Sequence, residues 1–134
     1  MADATRMQWV RIVLGALLLE VVLFAVLVPL DPLFGETVFF VSVPIGCFVF
    51  GYAVTFWLLR PLTSEFLLHG ALVGLLATAM YLGLATGAPG GIPAAVALYG
   101  PPLFWLSQGL RIAGCVAGAA HQERRKRLHA DSTR

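Results

Sequence analysis

Four long apolar stretches follow one another along the chain and are separated by short connections. A bilayer core of about 30 Å needs roughly 20 apolar residues of helix to cross it. Each stretch reaches that length without alternating, whereas strands of a membrane barrel are about 10 residues long and alternate. Backbone groups inside lipid need hydrogen-bond partners, which a helix supplies within its own segment. The pattern predicts an all-α integral membrane bundle of four transmembrane helices in one domain, residues 1–120, with spans at about Val10–Leu30, Val38–Leu59, Phe66–Ala88 and Ala94–Ala120.

The composition excludes the other common classes of chain. Hydrophobic residues make up 59% of the sequence, charged residues only 12%, and the mean hydropathy is +0.86. A soluble domain carries about 25% charged residues, and a disordered chain combines low hydrophobicity with high net charge. Neither description fits, so composition and pattern predict the same class of protein.

Basic residues gather on one side of the predicted bundle. The two connections on the opposite side contain Asp31 and Glu36 and no Lys or Arg. Cytoplasmic loops carry an excess of Lys and Arg. The distribution therefore predicts a multi-pass protein of the cytoplasmic (inner) membrane with both termini in the cytoplasm. The basic residues on that side are Arg6, Arg11, Arg60, Arg124, Arg125, Lys126, Arg127 and Arg134.

The basic tail, residues 121–134, follows the fourth span directly. A run of Lys and Arg in this position sets topology and attracts anionic lipid headgroups. We therefore expect Arg124, Arg125, Lys126 and Arg127 to face anionic lipid, and we expect no nucleic-acid binding.

Small residues at helical spacing mark expected packing surfaces. Apolar faces gain little from associating inside lipid, so close approach at small residues drives helix contacts. These contacts lie within the bundle or against a second copy of the chain, and the sequence leaves both open. The GxxxG pairs are Gly70 with Gly74, Gly83 with Gly87, and Gly114 with Gly118.

Two opposite charges lie inside predicted spans. At about 1.5 Å per residue, Glu20 is roughly 14 Å and Arg111 roughly 15 Å from the inner boundary. A charge facing lipid costs a few kcal/mol, so both side chains are expected to turn inward. We predict an ion pair between them. Three interpretations remain: a structural pair that fixes helix register, a functional pair in a polar pathway, or no direct contact.

Other polar residues extend this prediction. Ser107 and Gln108 share one helical stripe with Arg111, Gly114, Cys115 and Gly118. His69, which lies about one turn inside the third span, is grouped with Ser107 and Gln108 as a polar residue of the bundle. His69 is interpreted as an interfacial hydrogen-bonding group, with a proton relay as the alternative. The sequence shows no metal-ligand spacing and indicates no cofactor, and Cys47 and Cys115 are expected to be free thiols.

Two short segments resemble the small multidrug resistance transporters. These segments are Gly15–Val21, which contains Glu20, and Phe56–Leu59. That family consists of proton-coupled four-helix exporters of about this length. The resemblance implies that Glu20 is the carboxylate that binds protons and substrate in turn.

The arrangement as a whole is similar to small bacterial four-span membrane proteins of unknown function. The likeness rests on short loops, a basic tail, and the glycine-rich segments His69–Gly74 and Arg111–Gly118. It implies an architecture and no activity.

The sequence lacks the motifs of the common enzyme classes, including a phosphate-binding loop, a nucleophile elbow and a zinc-protease helix. We therefore predict a non-catalytic membrane protein that packs as a homo-oligomer or as an accessory subunit of a larger complex. The alternative is a small proton-coupled transporter or channel with Glu20 and Arg111 in its path. Pro101 and Pro102 would then mark a broken helix rather than a turn near the outer surface.

Overall fold

The computed structural model describes residues 8–132; Arg6 and Arg134, used above to predict orientation, lie outside the described residues. Across this range the chain forms helices and no strand. Elements long and apolar enough to cross a membrane are Trp9–Phe34, Glu36–Leu58, Phe66–Gly87 and Pro101–Ser132, which confirms four candidate spans in an all-α fold. The helices are α1 (Trp9–Leu27), α2 (Leu30–Phe34), α3 (Glu36–Leu58), α4 (Phe66–Gly87), α5 (Gly91–Tyr99) and α6 (Pro101–Ser132).

The four long helices pack as a ring. α6 packs most extensively against α3 and next against α4, and α1 packs against the same two helices. α3 and α4 scarcely touch, and α1 and α6 are not neighbours. The order around the ring is therefore α1, α3, α6, α4, which places α1 diagonally opposite α6.

One face of α1 supplies much of the core. Its buried apolar residues recur every three or four positions, the spacing of one helical face. They pack against Val73 and Ala77 of α4 and Cys47 of α3. This face consists of Ile12, Ala16, Leu19, Leu23 and Leu27.

The fourth apolar stretch is divided into two helices, as the broken-helix alternative expected. Gly100 has a φ of +77°, a conformation that glycine adopts without the steric cost of a side chain. Pro101 then occupies the first position of α6, where its missing N–H leaves no hydrogen bond unmade. The main helix begins there and continues without interruption to Ser132, well beyond the predicted end of the span at Ala120.

Two further elements differ from the sequence-based expectation. The connection after Asp31 contains the short helix α2, and α3 begins at Glu36. Pro44 lies inside α3, which runs from Glu36 to Leu58.

The glycine pairs divide into two groups. A Cβ at Gly70 would lie 2.8 Å from the Cys115 carbonyl oxygen, and one at Gly74 would lie 2.9 Å from the Ile112 Cα. A Cβ at Gly114 or Gly118 would strike backbone atoms of α3. These four glycines therefore form contacts within the bundle.

Gly83 and Gly87 behave differently. No described atom comes within 4 Å of a Cβ built on either of them. This GxxxG pair faces open space at the end of α4 that lies away from His69.

Candidate functional site

Glu20 and Arg111 both point into the bundle. Glu20 follows Leu19 on the buried side of α1 and is 4% exposed, and Arg111 is 3% exposed. The polar stripe predicted on α6 is buried as a unit: Ser107, Gln108, Arg111, Gly114, Cys115 and Gly118.

The two charges form the ion pair that the sequence predicted. Nη1 of Arg111 lies 2.8 Å from Oε1 of Glu20. The N–H bonds of the guanidinium are not aligned on that oxygen, so the contact is electrostatic rather than a well-directed hydrogen bond. Because α1 and α6 are diagonal, the pair crosses the middle of the helix ring.

Arg111 has three further contacts that sequence reasoning missed. Nη1 donates to the Ala77 carbonyl oxygen at 3.4 Å, and Nη2 lies 4.0 Å from the Cys47 sulfur. Its Cζ atom lies 4.8 Å from the centre of the Tyr81 ring, within cation–π range. The sequence could have indicated Tyr81 as a neighbour of Arg111, because Tyr81 lies four residues after Ala77 and continues the face of α4 that Gly74 and Ala77 form.

Several buried polar atoms of this site lack partners. Among the atoms of residues 8–132, none forms a hydrogen bond with either carboxylate oxygen of Glu20, with Oε1 of Gln108 or with Nε of Arg111. Most buried polar atoms in proteins are paired, and an unpaired one costs about 1–3 kcal/mol. The site is therefore short of three donors and one acceptor, although Oε1 of Glu20 keeps its electrostatic contact with Arg111.

A cavity of ≈ 60 Å³ adjoins the ion pair. Its polar wall consists of Glu20, Ser107, Gln108 and Arg111. Its other walls are apolar and aromatic, and they lead away from the pair toward α2 and α5: Leu23, Phe24, Leu27, Val28, Phe39, Val43, Cys47, Tyr81, Tyr99 and Phe104.

A shallow depression at the α2 end continues this cavity. It shares Val28 and Phe39 with the cavity wall and contains Asp31 and Glu36. The polar wall at Glu20 therefore lies at the inner end of a series of hollows that begins at the acidic connection.

Ser107 is satisfied within its own helix. Its Oγ donates to the Leu103 carbonyl oxygen at 2.8 Å, a common arrangement for serine in a helix. Ser107 therefore lines the cavity without pairing with Arg111.

His69 does not belong to the polar group of Ser107 and Gln108, and here the grouping made from the sequence is wrong. Its Nδ1 donates to the Glu65 carbonyl oxygen at 2.8 Å, and its Nε2 accepts from the Gln8 amide at 3.3 Å. Both ring nitrogens therefore bond to backbone, Nε2 at the start of α1 and Nδ1 at the start of α4. This geometry agrees with the hydrogen-bonding interpretation of His69.

Some side chains of the basic tail contact the bundle. Lys126 donates to the Leu62 carbonyl oxygen, and Arg127 pairs with Glu123 one turn earlier. Arg125 lies over the Phe56 ring, and Arg124 is exposed. The four predicted lipid-facing residues therefore have different surroundings.

The side chains that bind metal ions in proteins are scattered through residues 8–132. No group of three or more His, Cys, Asp or Glu side chains there could hold a metal ion. Cys47 and Cys115 are both buried free thiols, as expected.

Comparisons with protein-family models, curated protein sequences and solved structures found no match to this chain. The resemblance of Gly15–Val21 and Phe56–Leu59 to the small multidrug resistance transporters stays a prediction from the sequence.

Proposed function

We propose that the protein is a small non-catalytic protein of the cytoplasmic membrane that associates with a second copy of itself through α4. The observation that supports this proposal is the open position of Gly83 and Gly87. The other two GxxxG pairs are occupied within the chain, whereas this pair has no neighbour within 4 Å of a built Cβ. In lipid, such a surface lets another helix approach closely.

The surroundings of this glycine pair fit a helix partner. Gly83 lies in a largely apolar groove between α1 and α4, whose other lining residues are Leu17, Glu20, Val21, Phe24, Met80 and Leu84. Two copies of α4 that meet at the same face form a two-fold contact, in which each GxxxG receives the other. An accessory subunit would instead dock a different membrane helix in this groove.

The experiment measures self-association of the full chain in lipid nanodiscs or vesicles by energy transfer between labelled copies. The double variant Gly83→Ile/Gly87→Ile is expected to weaken self-association at least tenfold. The matched control is Gly109→Ile, because Gly109 is another transmembrane glycine with nothing within 4 Å of its built Cβ. A wild-type chain that stays monomeric, or a double variant that associates as well as the control, would overturn the proposal.

The proposed orientation and lipid contacts rest on the basic residues at one side of the bundle and in the tail. Both termini then lie in the cytoplasm, and Arg124, Arg125, Lys126 and Arg127 lie at the height of anionic lipid headgroups. The exposed side chain of Arg124 supports this placement of the tail.

The cavity supports a second candidate function. A hollow that reaches a buried ion pair from one end of the bundle is what a small transporter or channel requires. Glu20, Arg111, Ser107 and Gln108 would line its polar path. Proton flux into proteoliposomes that is lost in Glu20→Gln, with the fold retained, is the expected result for this candidate.

A further inference from the structure

The cavity beside the ion pair has the size of a very small molecule. A cavity needs at least about 10–15 Å³ to hold one water, and a water takes about 30 Å³ in the liquid, so ≈ 60 Å³ accommodates a few waters or one solute of similar bulk. The aromatic rings of Tyr81, Tyr99 and Phe104 form much of the apolar wall. An occupant would therefore have a polar end toward Glu20 and a small apolar end toward these rings.

The charge of the site favours a neutral occupant. Glu20 and Arg111 are 2.8 Å apart and together carry no net charge. A cation would compete with Arg111 for the carboxylate, and an anion would compete with Glu20 for the guanidinium. In either case one buried charge loses its partner, which is costly away from water. A neutral molecule leaves the pair intact.

The unpaired atoms define the hydrogen-bonding pattern of the occupant. Both oxygens of Glu20 and Oε1 of Gln108 lack hydrogen-bond donors, and Nε of Arg111 lacks an acceptor. Since Oε1 of Glu20 is already in contact with the guanidinium, Oε2 of Glu20 and Oε1 of Gln108 remain for donors of an occupant. A primary amide offers two N–H donors and one carbonyl acceptor in a small planar unit, and urea offers four N–H donors with the same acceptor. A carboxylate has no donor to offer, and an amidinium has no acceptor.

From this match we infer that the cavity is a binding site for a small neutral molecule of the amide or urea class, held by Glu20, Gln108 and Arg111. This site uses the same cavity as the proposed transporter or channel. The inference adds to that second candidate function the chemical class of the ligand. Binding at the site does not require transport through it.

The test uses three probes of equal size and different charge: acetamide, acetate and acetamidinium. Binding to the full chain in nanodiscs is measured by saturation-transfer NMR on the methyl group of each probe. For four heavy atoms we expect a dissociation constant for acetamide in about the millimolar range, with both ions at least tenfold weaker.

A pair of glutamine variants locates the binding. Gln108→Leu removes an unpaired acceptor from the cavity and is expected to weaken acetamide binding about tenfold. Gln122→Leu is the matched control, because Gln122 is also a buried residue of α6 with an unpaired Oε1 but does not line the cavity. The control is expected to bind acetamide like the wild type.

The outcomes separate this inference from the transport candidate. Equal binding of all three probes, preference for either ion, no saturable binding, or equal loss in both glutamine variants would each overturn the neutral-ligand site. Acetamide uptake by proteoliposomes is measured in a separate experiment, in which swelling of the vesicles reports the uptake. Binding without swelling would support the site and count against transport, and swelling without saturable binding would support a pore and count against the site.

Discussion

At the scale of single residues, the buried pair of Glu20 and Arg111 is a constraint rather than a simple source of stability. The cost of removing two charges from water offsets much of their mutual attraction, even at an N–O distance of 2.8 Å. Removing one partner leaves an isolated charge in the middle of the helix ring. The pair therefore penalises any arrangement in which α1 and α6 do not face each other.

This argument predicts how substitutions at the pair combine. Arg111→Met and Glu20→Leu are each expected to lower the free energy of unfolding by about 3 kcal/mol or more when Glu20 or Arg111 is left charged and unpaired. The double variant is expected to lose less than the larger single effect, because neither charge remains. Unfolding in mixed detergent micelles, followed by circular dichroism, measures the three values. Additive losses would show that the two side chains do not act as a pair.

His69 gives a second prediction at this scale. Both of its ring nitrogens bond to backbone, and one of those bonds holds the Gln8 amide at the start of α1. His69→Phe keeps a ring but loses both bonds, at an expected cost of about 1–2 kcal/mol. Amide hydrogen exchange should accelerate at the beginning of α1, while Thr86→Ala, which removes an exposed bond near the other end of α4, should leave it unchanged. Unaltered amide exchange in His69→Phe would show that His69 does not stabilise the start of α1.

The contacts of single residues could be predicted only where the depth of each residue along its helix determines the contact. Equal depth and opposite sign were enough to pair Glu20 with Arg111. The contact of Arg111 with Cys47 depends instead on the rotation of α3 about its axis, which the sequence pattern leaves open because α3 is apolar on most sides. The wrong grouping of His69 has a related cause, since its partner is the backbone of Gln8 rather than a side chain.

At the scale of elements, α6 owes its packing to glycine. Gly114 and Gly118 lie against the backbone of α3, and Gly70 and Gly74 of α4 receive α6 from the other side. The small-residue pattern predicted such contacts without identifying the partners. Only the ring order shows that α6 is the helix that both α3 and α4 approach.

Single alanines test this packing. In Gly118→Ala the new Cβ would meet the Tyr52 carbonyl oxygen, and its second neighbour, the Phe56 nitrogen, would be 3.1 Å away. Backbone cannot move aside as a side-chain tip can, so we expect a loss of about 1–3 kcal/mol in the free energy of unfolding. Gly109→Ala adds the same methyl group to the same helix in open space and is expected to be neutral or slightly stabilising, because alanine favours helix. Equal effects in the two variants would contradict close packing at Gly118.

The ends of the elements were harder to predict than their existence. Four apolar stretches are visible in the sequence because lipid-crossing length is a strong signal. The end of α6 is not visible in the sequence, because the polar tail favours helix formation nearly as well as the span does. The helix accordingly continues to Ser132. The division at Gly100 was foreseen as one of two alternatives because a glycine followed by two prolines suits both a turn and a break.

At the scale of the whole molecule, the ring order α1, α3, α6, α4 could not be read from the sequence. Short connections favour neighbours along the chain, yet α3 and α4 are joined by a short connection and scarcely touch. The buried charges decide between the arrangements, because the diagonal position lets two long side chains meet at the centre.

The position of the bundle relative to the membrane faces gives the last prediction. The acidic connection at Asp31 and the end of α6 at Ser132 lie at opposite ends of the bundle, and the excess of basic residues predicts that Ser132 lies in the cytoplasm. In whole cells, a membrane-impermeant thiol reagent is expected to label Asp31→Cys directly and Ser132→Cys only after permeabilisation. The native Cys47 and Cys115 are at most 1% exposed and should stay unlabelled in both variants, so each signal reports the introduced thiol alone. Removing Asp31 should not invert the protein, because orientation depends on Lys and Arg far more than on acidic residues. Labelling of Ser132→Cys in intact cells would reverse the orientation and would turn the cavity mouth between α2 and α5 toward the cytoplasm.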